Sequence, residues 1–132
     1  MIIDTKITNI GFDIDGTITS RPDFFAFLSR NVRNKGGNVY LLTSQFYTPK
    51  VKRKVIKEVK SLGVVFDEIY FTPNPDGDLS LCPHDELSIV EKIEWHKVWF
   101  CLEKGIELFY DDKPIVLSLF QRYAPKIKFV LV

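Results

Sequence analysis

Residues 6–17 read KITNIGFDIDGT, a short apolar run that ends on two carboxylates, Asp13 and Asp15, followed by Gly16. A run of this length bounded by a turn signal reads as a buried strand. Like charges at the mouth of a buried strand are costly unless something compensates them. A second run ends the same way. Residues 106–112, IELFYDD, pass from an apolar strand into Asp111 and Asp112.

Around these two runs, strand and helix signals alternate. The first strand is expected over 6–14 and a helix over 22–35, with Pro22 in its first turn and Gly36 and Gly37 after its end. Phe24, Phe27, Leu28 and Val32 follow helical spacing there and are expected as its core stripe. Residues 38–43, NVYLLT, predict a second strand. Thr48 and Pro49 open a second helix that closes at Leu62 and Gly63, with Val51, Val55, Val59 and Leu62 as its apolar stripe. A third strand is expected over 68–72 and a turn at PNPDGD, 73–78. Residues 85–104 read as helix, either one or two with a break near Glu94. The fourth strand is expected over 106–110, a helix over 114–123 and a last strand over 127–132. This alternation predicts an α/β fold: a Rossmann-like, doubly wound, mainly parallel five-stranded sheet with helices on both faces.

The chain has 132 residues, consistent with one domain over 1–132. Lys and Arg total 18 against 17 Asp and Glu, so net charge gives no bulk argument for a nucleic acid or an acidic surface. Two cysteines cannot build a disulfide framework. The start, MIIDTKITNI, lacks the pattern of a signal peptide, and no apolar run approaches a membrane span. The expectation is a cytoplasmic protein without membrane contact.

In an open parallel sheet, ligands bind beyond the carboxyl ends of the strands. The residues expected there are Asp13 and Asp15 after strand one, Thr43 and Ser44 after strand two, and Asp111 and Asp112 after strand four, with Lys97 in the segment before strand four. Four carboxylates at one edge require a counter-charge, because like charges raise one another's pKa. A hard divalent cation, Mg²⁺, suits an all-oxygen donor set.

DIDGT resembles the first motif of the haloacid dehalogenase superfamily. Thr43 in VYLLTS is similar to the second motif. Lys97 in WHKVWFCLEKG matches the third best, with Lys92 as its rival, and LFYDDK is similar to the fourth. The resemblance implies a small, capless phosphatase-like member that hydrolyses phosphomonoesters. Asp13 would be the nucleophile that carries an aspartyl-phosphate, and Asp15 the general acid and base. Thr43 and Lys97 would hold the phosphoryl oxygens, with Gly16, Thr17 and Ser44 lining the substrate. Asp13, Asp111 and Asp112, with Asp15 through its carbonyl, would hold Mg²⁺; either of Asp111 and Asp112 could be the direct ligand. Gln45 departs from the pattern, since many relatives carry a basic residue there.

Only one helix fits between Gly16 and Thr43, which leaves no room for a cap domain, although 73–94 could form a small flap. The expected partner is a phosphorylated small molecule or a phosphorylated polymer end. The basic second helix reads as a solvated face in preference to a nucleic-acid surface. The apolar last strand at a sheet edge hints at a homo-oligomer. A zinc site from Cys82, His84, His96 and Cys101 has unsuitable spacing. A receiver domain of the response-regulator kind fails on motif order. The alternative of another class is a catalytically silent regulatory module that binds phosphate or metal.

Overall fold

The computed structural model of the protein describes residues 9–72 and 78–132. It contains β1 (Asn9–Asp13), α1 (Pro22–Asn34), β2 (Asn38–Thr43), α2 (Pro49–Ser61), β3 (Glu68–Phe71), α3 (Ile89–Glu103), β4 (Leu108–Asp111), α4 (Pro114–Tyr123) and β5 (Lys128–Leu131). The five strands form one sheet in the order β3-β2-β1-β4-β5, and every neighbouring pair is parallel. This is the expected α/β, Rossmann-like architecture.

Period-two alternation divides the sheet's side chains between two layers. Ile10 and Phe12 of β1, Val39 and Leu41 of β2, and Phe71 of β3 pack with Phe25 and Val32 of α1 and Val55 and Val59 of α2. Leu42, Tyr70 and Phe109 face the other way, onto Trp95, Val98 and Cys101 of α3 and Val116, Leu119 and Phe120 of α4. Gly11 belongs to this second face; a Cβ there would stand 2.8 Å from the Phe109 ring, so glycine permits the close approach of β1 and β4.

Several expected boundaries move, each for a local reason. The helix before β4 is single and begins at Ile89, because Ser88 and Glu91 form a capping box. It does not break at Glu94, which is buried mid-helix. Ile106 leaves β4, since its N–H is taken by the Cys101 carbonyl at the end of α3. Asp111 instead joins the strand, paired beside Leu131. The expected stripe of α1 is corrected in part: Val32 is buried and Leu28 half-buried against the core, but Phe25, Ala26 and Ser29 are buried in place of Phe27, which is 68% exposed, and of Phe24, also exposed. The core face is set one position over from Phe24 because Phe25 stacks edge-on against Phe12 and Tyr110.

The turn expected at 73–78 and the first residues of the expected first strand lie, apart from Asp78, outside the described residues. In the rest of the stretch read as a flap, Cys82 and Leu87 are buried with the α3 and α4 core. The His84 ring stacks on Tyr123 at 4.0 Å, so this stretch is docked on the α3 and α4 layer. Among the described residues, no helix is long and apolar enough to cross a membrane.

Candidate active site

The strand order reverses at β1, whose two neighbours are β2 and β4. Such a switch point opens a crevice at the carboxyl ends of the strands. Phe12 and Tyr110 are register partners on the α1 and α2 side. The next residue of each strand therefore faces α3, and these residues are Asp13 and Asp111. Both are buried.

α3 supplies the cation between them. Lys97 is fully buried, and its ammonium donates to Asp13 Oδ1 at 3.0 Å and to Asp111 Oδ2 at 2.8 Å. Glu94, one helical turn earlier, lies 3.1 Å from the same ammonium through Oε2, as an ion pair without well-aligned hydrogen-bond geometry. Its Oε1 is 3.3 Å from Lys113 Nζ, and Lys113 also donates to Ser44 Oγ at 3.1 Å. A continuous charged chain thus runs from Ser44 through Lys113, Glu94 and Lys97 to the two aspartates. Lys92, the rival for the third motif, is not part of it; its carbonyl accepts from His96 Nδ1.

After Asp13 the chain leaves the strand and turns over residues 14–18. Asp15 is consequently carried by the turn, not by the strand, and its carboxylate is exposed. Gln45 donates to Asp15 Oδ2 at 2.7 Å and so ties this turn to the loop after β2. Gly16 has φ +82°, and a Cβ there would collide with the Asp112 carboxylate, standing 2.7 Å from its carboxyl carbon. Thr17 Oγ1 donates to Asp13 Oδ2 at 3.0 Å and lies 3.3 Å from Asp112 Oδ1. Thr43 is buried at the end of β2; its hydroxyl oxygen accepts the Gln45 N–H at 3.2 Å.

The electrostatics show where charge is lacking. Burial pushes the Asp13 carboxyl up to about 7, with Asp111 adding to the rise and Lys97 opposing it. Burial likewise raises Asp111 against the pull of Lys97. Burial works against the Lys97 charge too, but Asp13, Asp111 and Glu94 outweigh it and hold its pKa above the ordinary lysine value. The Lys97 and Lys113 ammonium groups do not offset the four carboxylates of Asp13, Glu94, Asp111 and Asp112. Oxygen atoms of Asp13, Asp111 and Asp112 all lie within 4.8 Å of one another, the one such group of possible metal ligands among the described residues. Three hard oxygen donors short of positive charge fit a divalent cation such as Mg²⁺.

No protein-family model and no curated protein sequence matches the chain. Its fold is similar to solved chains of an RNA repair assembly. One, in a structure of the Pnkp1/Rnl/Hen1 RNA repair complex, superposes with a TM-score of 0.60 at 17% identity, covering 100% of this chain and 44% of that one. A second, from a Pnkp1/Rnl/Hen1 complex, gives a TM-score of 0.59 at 17% identity and covers 98% of this chain and 47% of that one. The chain thus spans less than half the length of these structures, and at this identity the likeness establishes the fold.

The structure brings Asp13, Thr17, Lys97, Asp111 and Asp112 into one bonded network, with Gly16 against Asp112. Thr43 and Asp15 are joined to each other through Gln45, at the rim of that network. Ser44 reaches it through Lys113. Three participants carry no role on sequence grounds: Glu94, Lys113 and Gln45. Glu94 had a signal in its i, i+3 spacing from Lys97 on α3. Lys113 had only its place beside the acidic pair.

Proposed function

We propose that the protein is a Mg²⁺-dependent phosphomonoester hydrolase of the kind that DIDGT and YDDK resemble, the haloacid dehalogenase superfamily. The observation that carries this reading is the convergence of the Asp13, Asp111 and Asp112 carboxylates around the buried Lys97 ammonium. Asp13 attacks phosphorus through a carboxylate oxygen, forming an aspartyl-phosphate and releasing the alcohol. Asp15 protonates the leaving oxygen, then takes a proton from the water that hydrolyses the acyl-phosphate. Its exposed carboxylate, held by Gln45, is within reach of solvent for the second step. Thr17 aligns the nucleophile through Oδ2, and Lys97 balances the charge that gathers as the phosphoryl group transfers. Bound by Asp13, Asp111, Asp112 and the Asp15 carbonyl, Mg²⁺ would neutralise phosphoryl and carboxylate charge.

The site has no cap domain among the described residues, which suits a large substrate. The likeness to chains of an RNA repair complex supports a phosphorylated nucleic-acid end over a small metabolite. The test is hydrolysis of an aryl phosphate and of phosphorylated oligonucleotides with Mg²⁺. Activity is expected to fall to background in Asp13→Asn and with excess chelator. Turnover that survives either change refutes the mechanism. Mg²⁺ binding by calorimetry without turnover on any phosphate would instead favour a silent regulatory module.

A further inference from the structure

We propose that the exposed basic face of α2, continued by the Phe46 ring at the rim of the carboxylate site, is a track for single-stranded nucleic acid. The track leads a strand end toward Asp13, and in that respect it rests on the phosphatase reading above; its binding function stands apart from it.

α2 carries Lys50, Lys52, Arg53, Lys54, Lys57 and Lys60 against Glu58 alone. Lys50, Arg53, Lys54 and Lys57 follow i, i+3, i+4, i+7 spacing, so they share one helical face, and all are exposed. The opposite face places Val55 and Val59 in the core. None of the α2 cations forms an ion pair among the described residues. Several cations elsewhere do: Arg33 with Asp67 at 3.4 Å, Lys104 with Glu68 at 3.1 Å and Arg122 with Glu86 at 3.8 Å. Like charges at i, i+4, as in Lys50 with Lys54 and Arg53 with Lys57, oppose helix formation. The charge is therefore concentrated, without ion-pair partners, on one element of a chain that is nearly neutral as a whole.

Phe46 is 77% exposed, the most exposed of the large apolar side chains described. Its neighbours hold it there. Gln45 is bonded to Asp15, and the Tyr47 ring packs on Phe71 at 5.4 Å. Thr48 then caps α2, its hydroxyl oxygen accepting the Val51 N–H at 3.0 Å. A ring fixed on both sides and left in water, followed within four residues by a row of cations, matches what a single strand offers: an open base face for stacking and a line of phosphates. A duplex hides its base faces. A membrane surface would need apolar residues flanking the cations on the same helix, whereas Val55 and Val59 of α2 are in the core and Val51 packs against it.

The experiment is fluorescence anisotropy of labelled single-stranded and duplex oligonucleotides of equal length, with Asp13→Asn protein so that no strand is consumed. Single strands are expected to bind more tightly than duplex. Paired reversal, Arg53→Glu with Lys57→Glu, is expected to weaken binding by about tenfold or more and to flatten the log affinity against log salt slope by ~0.7 for each phosphate no longer neutralised. Phe46→Ala is expected to weaken binding several-fold with the salt slope unchanged. Reversal of remote cations, Lys35→Glu with Lys126→Glu, should leave affinity unaltered. Equal affinity in all variants, or equal binding of duplex, polyglutamate or acidic vesicles, overturns the track. If binding behaves as expected while wild-type protein hydrolyses no phosphate, the phosphatase reading falls and the track stands; hydrolysis without strand binding does the reverse.

Discussion

Asp13 is where the proposed chemistry and the stability of this molecule meet. Its carboxyl is raised to about 7 from 3.8, chiefly by burial, so between those values the folded protein holds a proton that the unfolded chain has lost. Stability then falls as pH rises through that window, because the folded state binds more protons than the unfolded state. The raised Asp111 adds in the same direction. Metal-free protein is therefore expected to show a falling urea midpoint from about pH 5 to about pH 8. Mg²⁺ is expected to recover the loss, by ~2.7 kcal/mol at a hundredfold excess over its dissociation constant. Urea titrations at both pH values check this; a midpoint that rises with pH, or ignores Mg²⁺ at the higher pH, contradicts it. The residues that sequence located here are those whose spacing is rigid: Asp13 and Gly16 at a strand end, Asp111 and Asp112 at another. Glu94 and Lys113 escaped notice because their role depends on which helical face meets the sheet edge, a tertiary fact.

At the scale of elements, strand identities were legible from apolar runs and turn residues, while the order of strands in the sheet was not and the phase of the helices was only partly so. α1 contains four apolar side chains in five positions, Phe24, Phe25, Phe27 and Leu28 with Ala26 between Phe25 and Phe27, and periodicity alone fits more than one face. Tertiary packing decides for Phe25, whose ring meets Phe12, Phe24 and Tyr110. Phe25→Ala is accordingly expected to cost about 3–5 kcal/mol, and Phe27→Ala within about 0.5 kcal/mol of zero, by chemical denaturation. Equal costs would return the core face to the stripe first read from spacing. For α2 the valine stripe was legible, but the meaning of its charge was not. Sequence counts cations; only the structure shows that those on α2 lack the carboxylate partners found beside Arg33, Lys104 and Arg122.

The whole molecule is a sheet whose order reversal at β1 brings two acidic strand ends side by side, with a buried lysine from the crossover helix between them. The aromatic ring and the cationic helix stand at the same edge, since Phe46 and α2 both follow β2. The central claim is that Asp13 accepts a phosphoryl group, and it is tested most directly by acid quench during turnover of a substrate radiolabelled in its phosphoryl group. The account predicts label bound covalently to the peptide containing Asp13, released by hydroxylamine, dependent on Mg²⁺ and absent from Asp13→Asn. Turnover with no label on the protein, or label that persists in Asp13→Asn, would contradict it.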